Sequence, residues 1–150
     1  MPGRPRPAVA SLPAYRPGKG AAQAEAEHGI TDAIKLASNE TPWPPLPAVV
    51  DAIAAAATGV HRYADHRATE LRAAIAAARG LSPDQVTVGC GSVGLLQQLL
   101  LSYAGPGAEV VYPWRSFEVY PVYTRLVEAV EVTVPLADHT TDVDALIAAL

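Results

Sequence analysis

The feature that most constrains this chain is a change of period across one glycine-broken turn. In QVTVGCGSVGLLQQLLLSYAG, Gln85 to Gly105, the β-branched run Val86, Thr87 and Val88 ends at Gly89, Cys90, Gly91 and Ser92. Beyond it Leu95, Leu96, Leu99, Leu100 and Tyr103 recur at helical spacing. A strand enters the turn and a helix leaves it. Such a turn directs unpaired backbone N–H groups and the positive end of the helix dipole at one point, and glycine lets an anion come close. The pattern predicts a phosphate there. The alternative is a tight strand-to-helix connection with no ligand, in which Ser92 caps the helix.

The same alternation continues downstream. A helical turn begins at Ser82 and Pro83, then come a strand Val86 to Val88, a helix Val93 to Tyr103 and a strand Glu109 to Tyr112. A helix Ser116 to Leu126 and a strand Glu131 to Val134 follow. This order predicts the α/β class, with parallel βαβαβ units and helices on the sheet faces. Ligands in such sheets sit beyond the carboxyl ends of the strands, where Gly91, Ser92, Arg115 and Phe117 would converge. The final TDVDALIAAL starts a helix that Thr141 or Asp142 can cap, and its apolar stripe has no closing Gly or Pro, so the domain is expected to be truncated.

Upstream the texture differs. Residues 1–30 are punctuated by proline and poor in large apolar side chains, which predicts an irregular arm. Residues 31–81 read as a short strand in AIKLAS, an extended proline-rich NETPWPPLP, and two alanine-rich helices. The first runs from Pro47 to about Ala57 and the second from Thr69 to Arg79, the latter stopped by Gly80. Residues 82–150 form the third region.

Composition narrows the partners. With 50% hydrophobic and 17% charged residues the chain is globular, and a net charge of −4 argues against nucleic acid or an anionic membrane as main partner. No apolar run approaches the ~18 residues of a spanning helix, and prolines break the basic start before a signal-like core can form. The cytoplasm is the default. The single cysteine, Cys90, reads as a small buried residue. His61 and His66 lack the i, i+4 spacing of a helical metal site, and Asp138, His139 and Asp142 read as a turn and a cap, so no metal is expected.

Gly89, Gly91 and Gly94 also spell GxGxxG, the dinucleotide fingerprint. A Rossmann site wants an acid at the end of the next strand, but Glu109 stands at its start, with Arg115 near its end. An NADP-binding domain therefore stays as a second reading, and an interaction protein without catalysis as a third.

Taken together, LPAYRPGK, KLASNETPWPP, HRYADHRATELR, VTVGCGSVGLL, GAEVVYPWRSFEVY and VPLADHTTD resemble, in order, the amino-terminal part of the pyridoxal-phosphate (PLP) aminotransferases of fold type I. The closest resemblance is to the histidinol-phosphate and aromatic branch, and WRSFEVY is more similar to phenylalanine-type aromatic aminotransferases. The resemblance implies the start of a three-layer α/β/α large domain, a homodimer, and transfer of an amino group between an aromatic amino acid and a 2-oxo acid such as 2-oxoglutarate. Histidinol phosphate is the alternative substrate.

The resemblance also implies roles. Gly91, Ser92 and Val93 fall on the turn that holds the cofactor phosphate, although the family's usual acidic pair is Val93 and Gly94 here. Phe117 falls where an aromatic ring stacks on the pyridine. Tyr63 falls where a tyrosine reaches the neighbouring subunit's cofactor phosphate, with Ala64 replacing the usual proline. Asn39 falls on the segment lining the substrate mouth, and Tyr15 on the arm that reaches the neighbour's substrate. Neither Lys19 nor Lys35 stands at the position of the cofactor-linked lysine, so no catalytic residue is assigned within the chain, which alone is expected to be inactive.

Overall fold

The computed structural model describes residues 3–12, 18–36 and 38–150. The chain divides into two compact units, one built from residues 1–13 and 67–150, the other from 14–66.

The first unit holds the alternating elements. Helix α1 (Pro7–Ala10) is a single turn opened by a proline, helix α4 is Thr69–Arg79, helix α5 is Gly91–Tyr103 and strand β1 is Glu109–Trp114. Helix α6 (Val119–Leu126), strand β2 (Val130–Pro135) and helix α7 (Val143–Ala148) complete it. Strands β1 and β2 pair in parallel, Glu109 opposite Val130 through Trp114 opposite Pro135. The connection through α6 is thus the βαβ crossover that the alternation demanded. The core is small: Ala76, Tyr112, Val134 and Thr124 are buried. The Thr124 hydroxyl, with no exposure at all, donates to Tyr120 O at 2.8 Å and so carries no unpaired polar atom into the core.

Two expectations in this unit need correction. Residues 86–88 are extended but join no ladder among the described residues. The entry to this stretch is held instead by Arg72 of α4, whose guanidinium donates to Val86 O at 2.8 Å and Pro83 O at 2.6 Å. Pro83–Gln85 forms a 3₁₀ turn, closed by Ser82 N–H donating to Gln85 Oε1. Helix α6 begins at Val119 rather than Ser116, and Pro121 is the reason. A proline ring clashes with the carbonyl four residues earlier, here that of Phe117, so it is tolerated only in the first turn. Ser116 Oγ instead donates back to Pro113 O at 2.6 Å, making Arg115 to Glu118 a braced connection.

The arm is also less irregular than expected. Arg6 Nη2 donates to Leu126 O at 2.7 Å and its Nη1 lies 3.8 Å from Glu128, so this part of the arm lies on the carboxyl end of α6. A guanidinium there meets carbonyls that the helix leaves without partners.

The second unit contains helix α2 (Ala21–His28) and helix α3 (Pro47–Ala57). Helix α2 lies in the stretch read as irregular. Its Ala, Gln and Glu residues are strong helix formers, and Gly29 ends it with φ +63° in the left-handed region. Lys19 and Gln23 both hydrogen-bond Glu27, lowering its carboxyl pKa, chiefly through the Lys19 hydrogen bond. The AIKLAS segment is not a strand over its described residues. Its apolar Ile34 and Leu36 are exposed, and Lys35 pairs with Glu40 at 2.6 Å. Alternating hydrophobicity over so few residues makes a strand only where a neighbour completes the ladder.

Candidate functional site

Helix α5 opens two residues earlier than its apolar periodicity suggested. Cys90 occupies the N-cap position with φ −73° and ψ 73°, and Gly91 N–H donates to Gly89 O at 2.8 Å. This is an inverse γ-turn, a sharp three-residue reversal. Gly91 follows with φ +71°, a conformation in which a side chain is strained although a Cβ there would meet nothing within 4 Å. The glycine is therefore required by backbone conformation and not by crowding. Gly89 differs, because a Cβ on it would lie 3.1 Å from Leu95 Cδ2.

Ser92 is accordingly the second residue of the helix and not its cap, and Cys90 is exposed rather than buried. The N–H groups of Ser92 and Val93 find no acceptor among the described residues. Gly91 and Ser92 are exposed and Val93 is half-buried, so these donors open onto solvent at the positive end of a 13-residue helix. That is the arrangement an anion needs, and the left-handed glycine gives it room.

Phe117 lies in the braced connection after β1, 44% exposed, outside α6. Its ring meets Tyr120 edge to face, with centroids 5.8 Å apart and planes at 84°. Tyr120 in turn lies 5.6 Å from the ring of Tyr112. Arg115 sits over Trp114 at 5.7 Å and 3.7 Å from Glu118.

Topology relates this ring to the turn. A helix of 13 residues and a strand of six have similar lengths, roughly 20 Å each. Helix α5 and β1, joined only by residues 104–108, line one apolar recess with Tyr120 and Thr124, so the chain must reverse its direction between them. The amino end of α5 and the carboxyl end of β1 therefore belong to the same edge of the unit, the edge where α/β sheets bind ligands.

A polar cluster beneath this edge was not foreseen. Tyr112 Oη donates to Glu131 Oε2 at 2.5 Å, and Arg125 Nε donates to Glu131 Oε1 at 2.5 Å. Burial, and then the hydrogen bond to Glu131, push the Tyr112 phenol pKa well up. Burial alone would raise that of Glu131, but hydrogen bonds from Tyr112 and Arg125 outweigh it and hold the carboxyl below its ordinary range. The Glu131 contacts in turn raise the Arg125 guanidinium. The signal was present in sequence only as three polar groups on three separate elements.

The remaining sequence-derived positions fall in the second unit or outside the described residues. Tyr63 is fully exposed on the loop after α3. Asn39 stands in a turn with φ +46°, next to Ser38 at φ +80°. Tyr15 lies outside the described residues.

No family model matches the chain. Curated relatives do. An aromatic amino acid aminotransferase from Mycolicibacterium vanbaalenii is 47% identical over 150 residues, all of this chain and 40% of the relative. One from Thermobifida fusca is 49% identical over 145 residues, 97% of this chain and 39% of the relative. Among solved structures, histidinol-phosphate aminotransferase from Sinorhizobium meliloti, in complex with pyridoxal-5′-phosphate, superposes with a TM-score of 0.83 at 33% identity. It covers 97% of this chain and 39% of that one. The chain thus spans about 40% of the length of the curated relatives it matches. On sequence and fold together, the chain belongs to the fold type I aminotransferases, in the branch of the aromatic amino acid and histidinol-phosphate enzymes.

Proposed function

We propose that this span supplies part of the PLP cradle of an aromatic amino acid aminotransferase. The observation that carries the reading is the α5 turn: a left-handed glycine followed by two amides with no acceptor among the described residues, at a helix amino terminus in a chain 47% identical to an aminotransferase. The residues fit the cofactor. The Ser92 and Val93 amides hold its phosphate, Gly91 supplies the backbone conformation that exposes them, and the Ser92 hydroxyl can add a further donor.

Phe117, half-exposed at the same edge, stacks on the pyridine ring and fixes its plane. Tyr63 donates its hydroxyl to the phosphate in a neighbouring subunit of a homodimer. Asn39 and Tyr15 contribute to the substrate mouth. When bound, PLP supplies the electron sink through which an amino group passes between an amino acid and a 2-oxo acid. Neither Lys19 nor Lys35, which pair with Glu27 and Glu40, stands at the position of the family's cofactor-linked lysine, so the span binds and orients and does not move the proton.

The names of the curated relatives favour an aromatic amino acid as donor, and we place its action in the cytoplasm. Histidinol phosphate is the second reading, favoured by the solved structure from S. meliloti. The test uses a chain that carries this span at the full length of its relatives. PLP should bind with absorbance near 420 nm, and amino transfer from phenylalanine to 2-oxoglutarate should exceed that from histidinol phosphate. Failure to bind PLP would refute the cradle, and a reversed preference would select the second substrate.

A further inference from the structure

We infer that Tyr120 is a positioning residue for the Phe117 ring. The inference rests on the proposed cradle and concerns what holds its exposed wall. Phe117 stands on a connection, with 44% of its surface exposed and open to a ligand. Tyr120 meets Phe117 from two sides. Its N–H donates to Phe117 O at 3.1 Å, and its ring meets the Phe117 ring edge to face at 5.8 Å.

Tyr120 is itself held. It occupies the first turn of α6 just before Pro121, whose ring stiffens the backbone, and its side chain leans on Tyr112 at 5.6 Å. Tyr112 is 5% exposed, meets Trp114 edge to face, and is fastened through its hydroxyl to Glu131, which Arg125 grips from α6. A column of rings therefore runs from a polar anchor between β1, β2 and α6 up to Phe117 at the edge. Among the described residues the Tyr120 hydroxyl makes no hydrogen bond, so the ring edge itself carries the effect.

A double-mutant cycle in a chain carrying this span at its relatives' full length tests this. Tyr120→Leu should weaken PLP binding about two- to tenfold, the range expected for one lost aromatic contact, and should reduce the visible circular dichroism of the bound cofactor. Tyr120→Phe should match the parent in both. In a Phe117→Leu background, Tyr120→Leu should add nothing further, because the ring it positions is gone. An equal loss from Tyr120→Leu with and without Phe117 would show a general structural role and overturn the inference. Parent-like affinity and dichroism in Tyr120→Leu would overturn it while leaving the cradle intact. If the parent itself bound no PLP, both the cradle and this inference would fall. Should Tyr120→Leu not fold, Tyr120→Met carries the same comparison.

Discussion

Replacing Gly91 separates backbone strain from charge in the proposed phosphate turn. At φ +71° any other residue pays for a left-handed conformation, roughly 1–2 kcal/mol. A Cβ there meets nothing within 4 Å, so Gly91→Ala adds that strain and no collision. If the turn relaxes to relieve it, the Ser92 and Val93 amides swing away from their common target. Gly91→Asp adds a carboxylate to the same strain. Against a phosphate dianion about 5 Å away, Coulomb's law gives roughly 2 kcal/mol of repulsion in a water-like dielectric and roughly 6–7 kcal/mol at an effective dielectric near 20.

The turn is exposed, so the lower figure governs, and it still corresponds to a loss of affinity of roughly 15- to 30-fold beyond that of the alanine variant. The assay is PLP titration followed near 420 nm, in a chain carrying this span at the length of its relatives, with far-ultraviolet circular dichroism confirming the fold. Inorganic phosphate should compete with PLP in the parent and hardly at all in Gly91→Asp. A folded Gly91→Asp variant that binds PLP as the parent does would refute an anion at this turn.

The other outcomes are as concrete. Phe117→Ala should weaken PLP binding by up to about tenfold and slow turnover while thermal stability changes little, because a half-exposed ring contributes modestly to the core. Tyr63→Phe should act across subunits: in mixed dimers, activity should follow the partner's Tyr63 and not that of the subunit performing the chemistry, as subunit-mixing kinetics would show. Arg72→Met should cost about 1.5–3 kcal/mol in denaturant unfolding, since it strands the carbonyls of Val86 and Pro83 that the guanidinium now satisfies.

The Glu131 carboxyl, depressed in the folded chain, contributes stability that is complete above the ordinary glutamate range. That stability is lost as pH falls through the lower folded value. Tyr112, raised by burial, contributes stability that is complete below the ordinary phenol range and is lost as pH climbs through the higher folded value. Glu131→Gln should therefore flatten the acid limb of the unfolding midpoint against pH, and an unchanged acid limb would show that this cluster does not set it.

How far the sequence revealed this fold depended on whether each signal was local. Helices α3 and α4 were legible in the sequence, because Pro47 opens one and Gly80, at φ +66°, stops the other. The parallel pairing of β1 and β2 was legible because their crossover helix shows its own period. Val86 to Val88 and AIKLAS have the composition of strands, but a strand exists only through a neighbour, and no window of sequence reports whether that neighbour is there. The start of α6 could have been read correctly from Pro121 alone, since the clash it makes four residues back is a fixed property of the ring.

The candidate site divides along the same line. The α5 turn was readable as a glycine-broken strand-to-helix junction because it is contiguous, but its γ-turn at Cys90, the left-handed Gly91 and a helix that already includes Ser92 come only from the structure. Phe117 could be singled out only by resemblance, because its exposure depends on where α6 begins. Beneath it, Tyr112, Arg125 and Glu131 left no trace in spacing, since β1, α6 and β2 each contribute one member. Yet that cluster ties the crossover helix to both strands at the point from which Tyr120 rises to meet Phe117. The chemistry proposed for the edge thus depends on two kinds of support. The turn carries its own geometry wherever its sequence goes, whereas the aromatic wall keeps its direction only while the strand register, the helix start and one half-buried carboxylate all hold together.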